Sequence, residues 1–217
     1  MAAAQMNPIS TITGNVAAMP ATNIDTDQII PARFLKFRVT DGYQDFLFHD
    51  LRFDGDGKEL PDFVLNRVPS TEILLAGENF GCGSSREGAV QALQHYGVKV
   101  VIAESFGQIF ENNCLKNGLL PITLSRADME ALLALYAGAV ATLTVDLPNR
   151  VVTDRQGNRY SFAMDDFWHT LLMNGQDTLE LTMTRMDEVL AFERQRIADE
   201  PWIVIPSLAA NQEETAQ

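Results

Sequence analysis

The sequence predicts an α/β fold, a single α/β layer with an added β ribbon, and three observations carry that reading. Residues 72–103 read as strand, helix and strand, a βαβ unit. Helix and strand keep alternating through residue 136, and residues 142–162 then read as three short strands with a turn between the last two.

Taken in order, residues 11–19 alternate enough in polarity for a strand, 20–27 carry turn formers, and 28–39 form a short apolar stretch broken by Pro31. Residues 42–53 place Phe46, Leu47 and Leu51 for a brief helix, and 54–62 (DGDGKELPD) form a turn-rich surface excursion. Residues 72–76 follow as a strand, 85–96 have helical spacing, and 98–103 are a β-branched buried strand. A helix over 106–117 is closed by Gly118, 119–124 form a strand ending near Pro121, and 125–136 form a helix with Ser125 and Asp128 at its start. Short antiparallel strands are expected at 142–146, 150–154 and 159–162, with Gln156-Gly157-Asn158 as a hairpin turn, and helices at 166–174 and 186–198. No internal repeat or low-complexity tract interrupts this order, so one domain is expected over 1–205, with a polar tail over 206–217.

A chain of 217 residues with 46% hydrophobic content can bury a full core. Its net charge is −13 and no run of Lys or Arg marks a polyanion site, which argues against nucleic acid as a partner. No stretch nears the roughly 20 apolar residues of a membrane span, and residues 1–10 lack a basic end followed by an apolar run. The expectation is therefore a cytoplasmic protein with no membrane partner. Cys82 and Cys114 are too few for a disulfide framework, form no C-x-x-C pair, and read as small buried residues rather than metal ligands. His49, His95 and His169 are isolated and read as packing or surface residues.

The chemistry concentrates in residues 77–88 (GENFGCGSSREG), between a predicted strand and a predicted helix. Gly81 and Gly83 let the backbone turn sharply, and free N–H groups at the helix start favour an anion. Ser84, Ser85 and Arg86 can line that pocket, where a guanidinium suits a carboxylate through paired hydrogen bonds. A carboxylate-bearing small molecule is the natural guest. The plainer reading, a tight turn with a serine helix cap, stays open from the residues alone. Nucleotide readings fail: no G-K-[ST] follows the glycines, and Arg86 stands where G-x-G-x-x-G needs its third glycine. The serines also lack the G-x-S-x-G frame of a hydrolase.

The run 79–87 (NFGCGSSRE), with 100–110 (VVIAESFGQIF), 118–121 (GLLP) and the upstream 23–31 (NIDTDQIIP), resembles the small subunits of isopropylmalate dehydratase and the swivelling domain of aconitases. The likeness continues through 62–66 (DFVLN) and 173–175 (MNG), so it covers most of the chain. It implies a swivelling β/β/α domain, like the aconitase C-terminal domain, and a hydro-lyase that interconverts 2- and 3-isopropylmalate by dehydration and rehydration in leucine synthesis. By the same resemblance Ser84 is the base, as an alkoxide, and Ser85 and Arg86 hold substrate carboxylate. Asp27 lines the site from the T-D loop, and Arg38, in 34–38 (FLKFR), matches a second carboxylate-gripping arginine across a one-residue gap.

The resemblance further implies that a [4Fe–4S] cluster in a large iron–sulfur subunit expels hydroxide, in a heterodimer or heterotetramer, because two cysteines cannot ligate such a cluster in this chain. No metal ligand is assigned here. The loop 31–39 (PARFLKFRV), with Arg33, Lys36 and Arg38, reads either as the selector of the substrate's side chain or as a solvated loop. One departure stands out: Gly88 follows Glu87 where these subunits commonly carry histidine. It keeps open a related diacid hydratase of citraconate, dimethylmalate or methylmalate type, and the anion loop alone would also serve a non-catalytic carboxylate-binding module.

Overall fold

The computed structural model describes residues 6–37, 42–138 and 140–203. In chain order it runs β1 (Thr11–Met19), α1 (Thr26–Ile29), a 3-10 turn (Ala32–Phe34), α2 (Tyr43–Phe46), α3 (His49–Arg52) and α4 (Val64–Arg67). Next come β2 (Thr71–Ala76), α5 (Glu87–Tyr96), β3 (Val100–Ala103), α6 (Gln108–Asn117), β4 (Leu120–Thr123) and α7 (Arg126–Tyr136). The chain continues as β5 (Thr142–Asp146), β6 (Val151–Thr153), β7 (Arg159–Ser161), α8 (Asp166–Asn174), α9 (Thr178–Met183), α10 (Met186–Asp199) and a 3-10 turn (Pro201–Ile203).

Successive side chains of a strand point to opposite faces, and the central strands here are apolar on both. Leu74, Ala76, Val101 and Ala103 pack on one side with Ala89, Leu93 and Phe110 of α5 and α6. Ile73, Leu75, Val100 and Ile102 pack on the other with Met129, Leu132 and Leu172 of α7 and α8. One sheet of seven strands results, in the order β4-β3-β2-β1-β5-β6-β7. β1 to β4 pair in parallel. β5 joins β1 antiparallel and leads into the β5–β6–β7 ribbon. The mixed α/β class and the antiparallel additions are as the sequence predicts, as is the βαβ unit, β2–α5–β3.

The differences are local. Pro121 does not end its strand but lies inside β4, opposite Val101. β4 is a sheet edge, where a residue without an N–H costs no ladder bond. The helix expected over 42–53 is two single turns, α2 and α3, because Phe48 takes a left-handed φ of +48° between them. This excursion is tied down by Arg52, only 6% exposed. Its guanidinium donates to Asn66 Oδ1 (3.2 Å) and to the carbonyls of Gln44 (3.0 Å) and Leu47 (3.3 Å), and stacks on Tyr96 at 4.9 Å.

Contacts set the helices from Thr178 onward apart as a second compact unit, within the span expected to form one domain. Its α9 and α10 bury none of their residues. The expected tail, 206–217, lies outside the described residues. No helix among the described residues is long and apolar enough to cross a membrane.

Candidate active site

The ends of parallel strands where chain direction leads into helices are natural ligand positions, since loops there present backbone donors from several strands at once. Three such loops meet here, following β1, β2 and β3. The first two are stitched by the Asn23 N–H donating to the Glu78 carbonyl (2.8 Å), Gly81 N–H to Ile24 (2.7 Å) and Thr26 N–H to Cys82 (2.9 Å). The third is joined by Phe80 N–H to Ser105 (3.0 Å) and Gly107 N–H to Phe80 (2.9 Å). Asn79 spans all three: its side-chain amide donates to Asn23 Oδ1 (2.8 Å) and its backbone N–H to the Ser105 hydroxyl (2.9 Å).

Gly81 and Gly83 both have positive φ, +73° and +91°, so the sharp turn assigned to them is present. It delivers Ser84 and Ser85 to the surface, both exposed. The Ser84 backbone is pinned, because the buried Thr26 hydroxyl donates to its carbonyl at 3.0 Å. No described hydrogen bond engages the Ser84 hydroxyl. α5 begins at Glu87, with Arg86 as the residue before it and no side chain capping the helix start. The plainer reading of a serine cap is therefore absent from the geometry, and the first N–H groups of α5 have no side-chain acceptor.

Asp27 and Arg86 are brought together. The guanidinium donates to the Asp27 carboxylate, with the Arg86 side chain 17% exposed and that of Asp27 53%. Asp27 is placed by α1, whose start is a capping box: Asp25 accepts from Gln28 N–H (2.7 Å) and Gln28 Oε1 accepts from Asp25 N–H (3.0 Å). The hydrogen bond from Arg86 holds the Asp27 carboxyl below the usual carboxylate range, against a smaller opposing effect of burial, and the Ala32 N–H adds to the lowering. A lowered folded pKa means the pair is complete above the ordinary carboxylate value and is lost as pH falls through the lowered one. Arg86→Gln is accordingly expected to raise the Asp27 midpoint in a carboxyl NMR titration; an unmoved midpoint would show that Arg86 does not set it.

The other expected residues are placed differently. Arg33 donates to Asp50 (2.8 Å), lies 3.4 Å from His49 Nδ1, and no described hydrogen bond or ion pair joins it to the serine loop. That pairing, more than burial opposes it, draws the Asp50 carboxyl down to about 2. Arg38 and Val39 lie outside the described residues. His49 sits beside Asp50, His95 packs edge-on to Tyr43, and His169 meets the Leu147 carbonyl at 3.0 Å. The residues that position the site and that sequence reading missed are Thr26, Asn23, Asn79 and Gln28. The D-x-x-Q cap was readable in the sequence; the buried hydroxyl of Thr26 carries no such signal.

Known proteins resemble this chain over most of its length. A family model described as "Aconitase C-terminal domain" matches residues 6–127, and one described as LeuD_N matches 130–166. The 3-isopropylmalate dehydratase small subunit of Bacillus subtilis is 46% identical over 193 residues, 88% of this chain and 97% of that one. The small subunit of Paramagnetospirillum magneticum is 46% identical over 201 residues, 91% of this chain and 100% of that one. The crystal structure of 3-isopropylmalate dehydratase from Methanocaldococcus jannaschii superposes with a TM-score of 0.62 at 26% identity, covering 83% of this chain and 99% of that one.

Proposed function

The chain belongs to the family of 3-isopropylmalate dehydratase small subunits, with an aconitase C-terminal-like fold, and on that footing we propose that it isomerises 2- and 3-isopropylmalate in leucine biosynthesis as half of a heteromeric hydro-lyase. The observation that carries the site is the Ser84 hydroxyl, exposed and without a described hydrogen bond, two residues before the Asp27-paired Arg86.

The chemistry follows from those groups. A substrate carboxylate takes the guanidinium donors that Asp27 leaves free, together with Ser85 and the uncapped N–H groups of α5. Asp27 keeps the guanidinium aimed. Ser84, as alkoxide, removes the carbon-bound proton beside that carboxylate, and the negative charge that develops falls where Arg86 and the helix start face it.

Departure of the hydroxyl calls for a Lewis acid, and the proposed source is a [4Fe–4S] cluster in a large-subunit partner. This chain's described residues do not fit such a cluster. Cys114 is fully buried, burial pushes its thiol well up, and no group of three or more His, Cys, Asp or Glu is gathered among the described residues.

Anaerobic reconstitution with a cluster-bearing large subunit, over a panel of hydroxy diacids, tests the reading. Interconversion of the isopropylmalates only when both chains are present is expected. Preferred turnover of citraconate-, dimethylmalate- or methylmalate-type diacids would reassign the substrate, and binding without turnover would leave a carboxylate-binding module. Within the active complex, Arg86→Lys is expected to raise KM on the order of tenfold, with a smaller change in kcat, because a point charge forfeits one charge-assisted hydrogen bond of about 1.5–3 kcal/mol. An unchanged KM would remove Arg86 from the pocket.

A further inference from the structure

Ser84 stands in a loop that its own glycines loosen. Gly81 and Gly83 make the turn, yet a glycine that takes a left-handed conformation cheaply has other conformations open to it as well. No described hydrogen bond involves Gly83 or Ser85, the two neighbours of Ser84. A proton acceptor so placed needs an outside restraint, because misplacement by about 1 Å costs on the order of a hundredfold in rate.

Thr26 supplies that restraint from the loop after β1. Its N–H donates to the Cys82 carbonyl at 2.9 Å and its hydroxyl to the Ser84 carbonyl at 3.0 Å, so one residue brackets Gly83 on both sides. The two lie against each other, since a Cβ built at Gly83 would stand 3.8 Å from the Thr26 hydroxyl oxygen. Thr26 is only 1% exposed, which shields its hydrogen bond from competing water. Its own footing is firm. α1 opens on the Asp25–Gln28 capping box, Ile29 and Ile30 are fully buried, and the Ile29 carbonyl accepts from the Phe48 N–H at 2.8 Å.

The Ser84 carbonyl belongs to a planar peptide, so fixing it leaves the hydroxyl only the staggered positions about the Cα–Cβ bond. Arg86 is held separately, by Asp27. Resting on the reading of Ser84 as the base, we propose that Thr26 is a positioning residue for proton abstraction, acting on the base and not on the group that holds the substrate carboxylate. Adjacent residues of α1 thus divide the work: Thr26 sets Ser84, and Asp27 sets Arg86.

The test is made in the reconstituted complex, with rates expressed per assembled complex. Thr26→Val keeps the side chain's shape and removes its donor, and it is expected to lower kcat about tenfold to a hundredfold with KM unchanged. Thr26→Ser, which keeps the hydroxyl, is expected to recover most of kcat. With deuterium on the carbon whose proton Ser84 removes, the isotope effect on kcat is expected to be no smaller in Thr26→Val than in the parent, since the slowed step is cleavage of that bond. Should the valine variant not join the large subunit, Thr26→Ala set against Thr26→Ser makes the same comparison.

A parental kcat in the variant lacking the hydroxyl, a fall in kcat with a shrunken isotope effect, or a matching rise in KM overturns the proposal. Ser84→Ala, assayed in parallel, separates two failures. If it keeps full turnover, the base assignment fails and takes the role of Thr26 with it. If it is inactive while Thr26→Val turns over at the parental rate, the positioning role alone fails.

Discussion

Ser84→Ala is expected to lower turnover by about 10²–10⁴-fold, the range that a positioned proton-transfer group contributes, while leaving the fold and the joining of the two subunits intact. The separation of these effects follows from how the residue is held. Ser84 is fixed through its carbonyl, which accepts from Thr26, and not through its hydroxyl, which no described hydrogen bond engages. Deleting the hydroxyl therefore removes no buried contact, and its exposed position leaves no cavity. The loss must come from chemistry. Steady-state rates in the reconstituted complex, set beside thermal unfolding of the isolated variant, measure the two separately. Undiminished turnover would take the proton-abstraction role away from Ser84, and a large drop in melting temperature would show that the hydroxyl holds the loop.

The local part of what positions this serine was legible in the sequence. The alternation that makes β2 bury Ile73 and Leu75 on one face and Leu74 and Ala76 on the other is a period-two signal, and the glycines at 81 and 83 announce their turn by type. What was not legible is what joins distant segments. Arg33 and Arg86 are both exposed-type cations close to glycine- or proline-bearing loops, yet one is claimed by Asp50 and the other by Asp27. That choice depends on how the loops after β1 and β2 lie together, through Asn23, Asn79 and Thr26, and residue type does not encode it. Pro121 misled for the same reason, since whether a proline ends a strand depends on whether that strand becomes an edge.

Gly81→Ala is expected to cost about 2–6 kcal/mol in stability, because two costs of roughly 1–3 kcal/mol coincide. The backbone there has φ +73°, which an L side chain rarely adopts, and the added Cβ would lie 2.2 Å from Cγ of Phe110. Phe110 cannot give way. It is 2% exposed, and its ring packs against Phe80 at 5.4 Å and Phe106 at 6.4 Å, the aromatic cluster beneath the turn. Gly83→Ala separates the two costs, since its φ is +91° but its nearest neighbour, Asp25 Cβ, would be 3.5 Å away. Only the backbone strain of roughly 1–2 kcal/mol applies there. Urea unfolding of both variants checks this, with the midpoint of Gly81→Ala expected well below that of Gly83→Ala at an unchanged slope. Equal midpoints would mean that the turn does not rest on Phe110, and a Phe110→Ala background that rescues Gly81→Ala relative to Gly81 would show that it does.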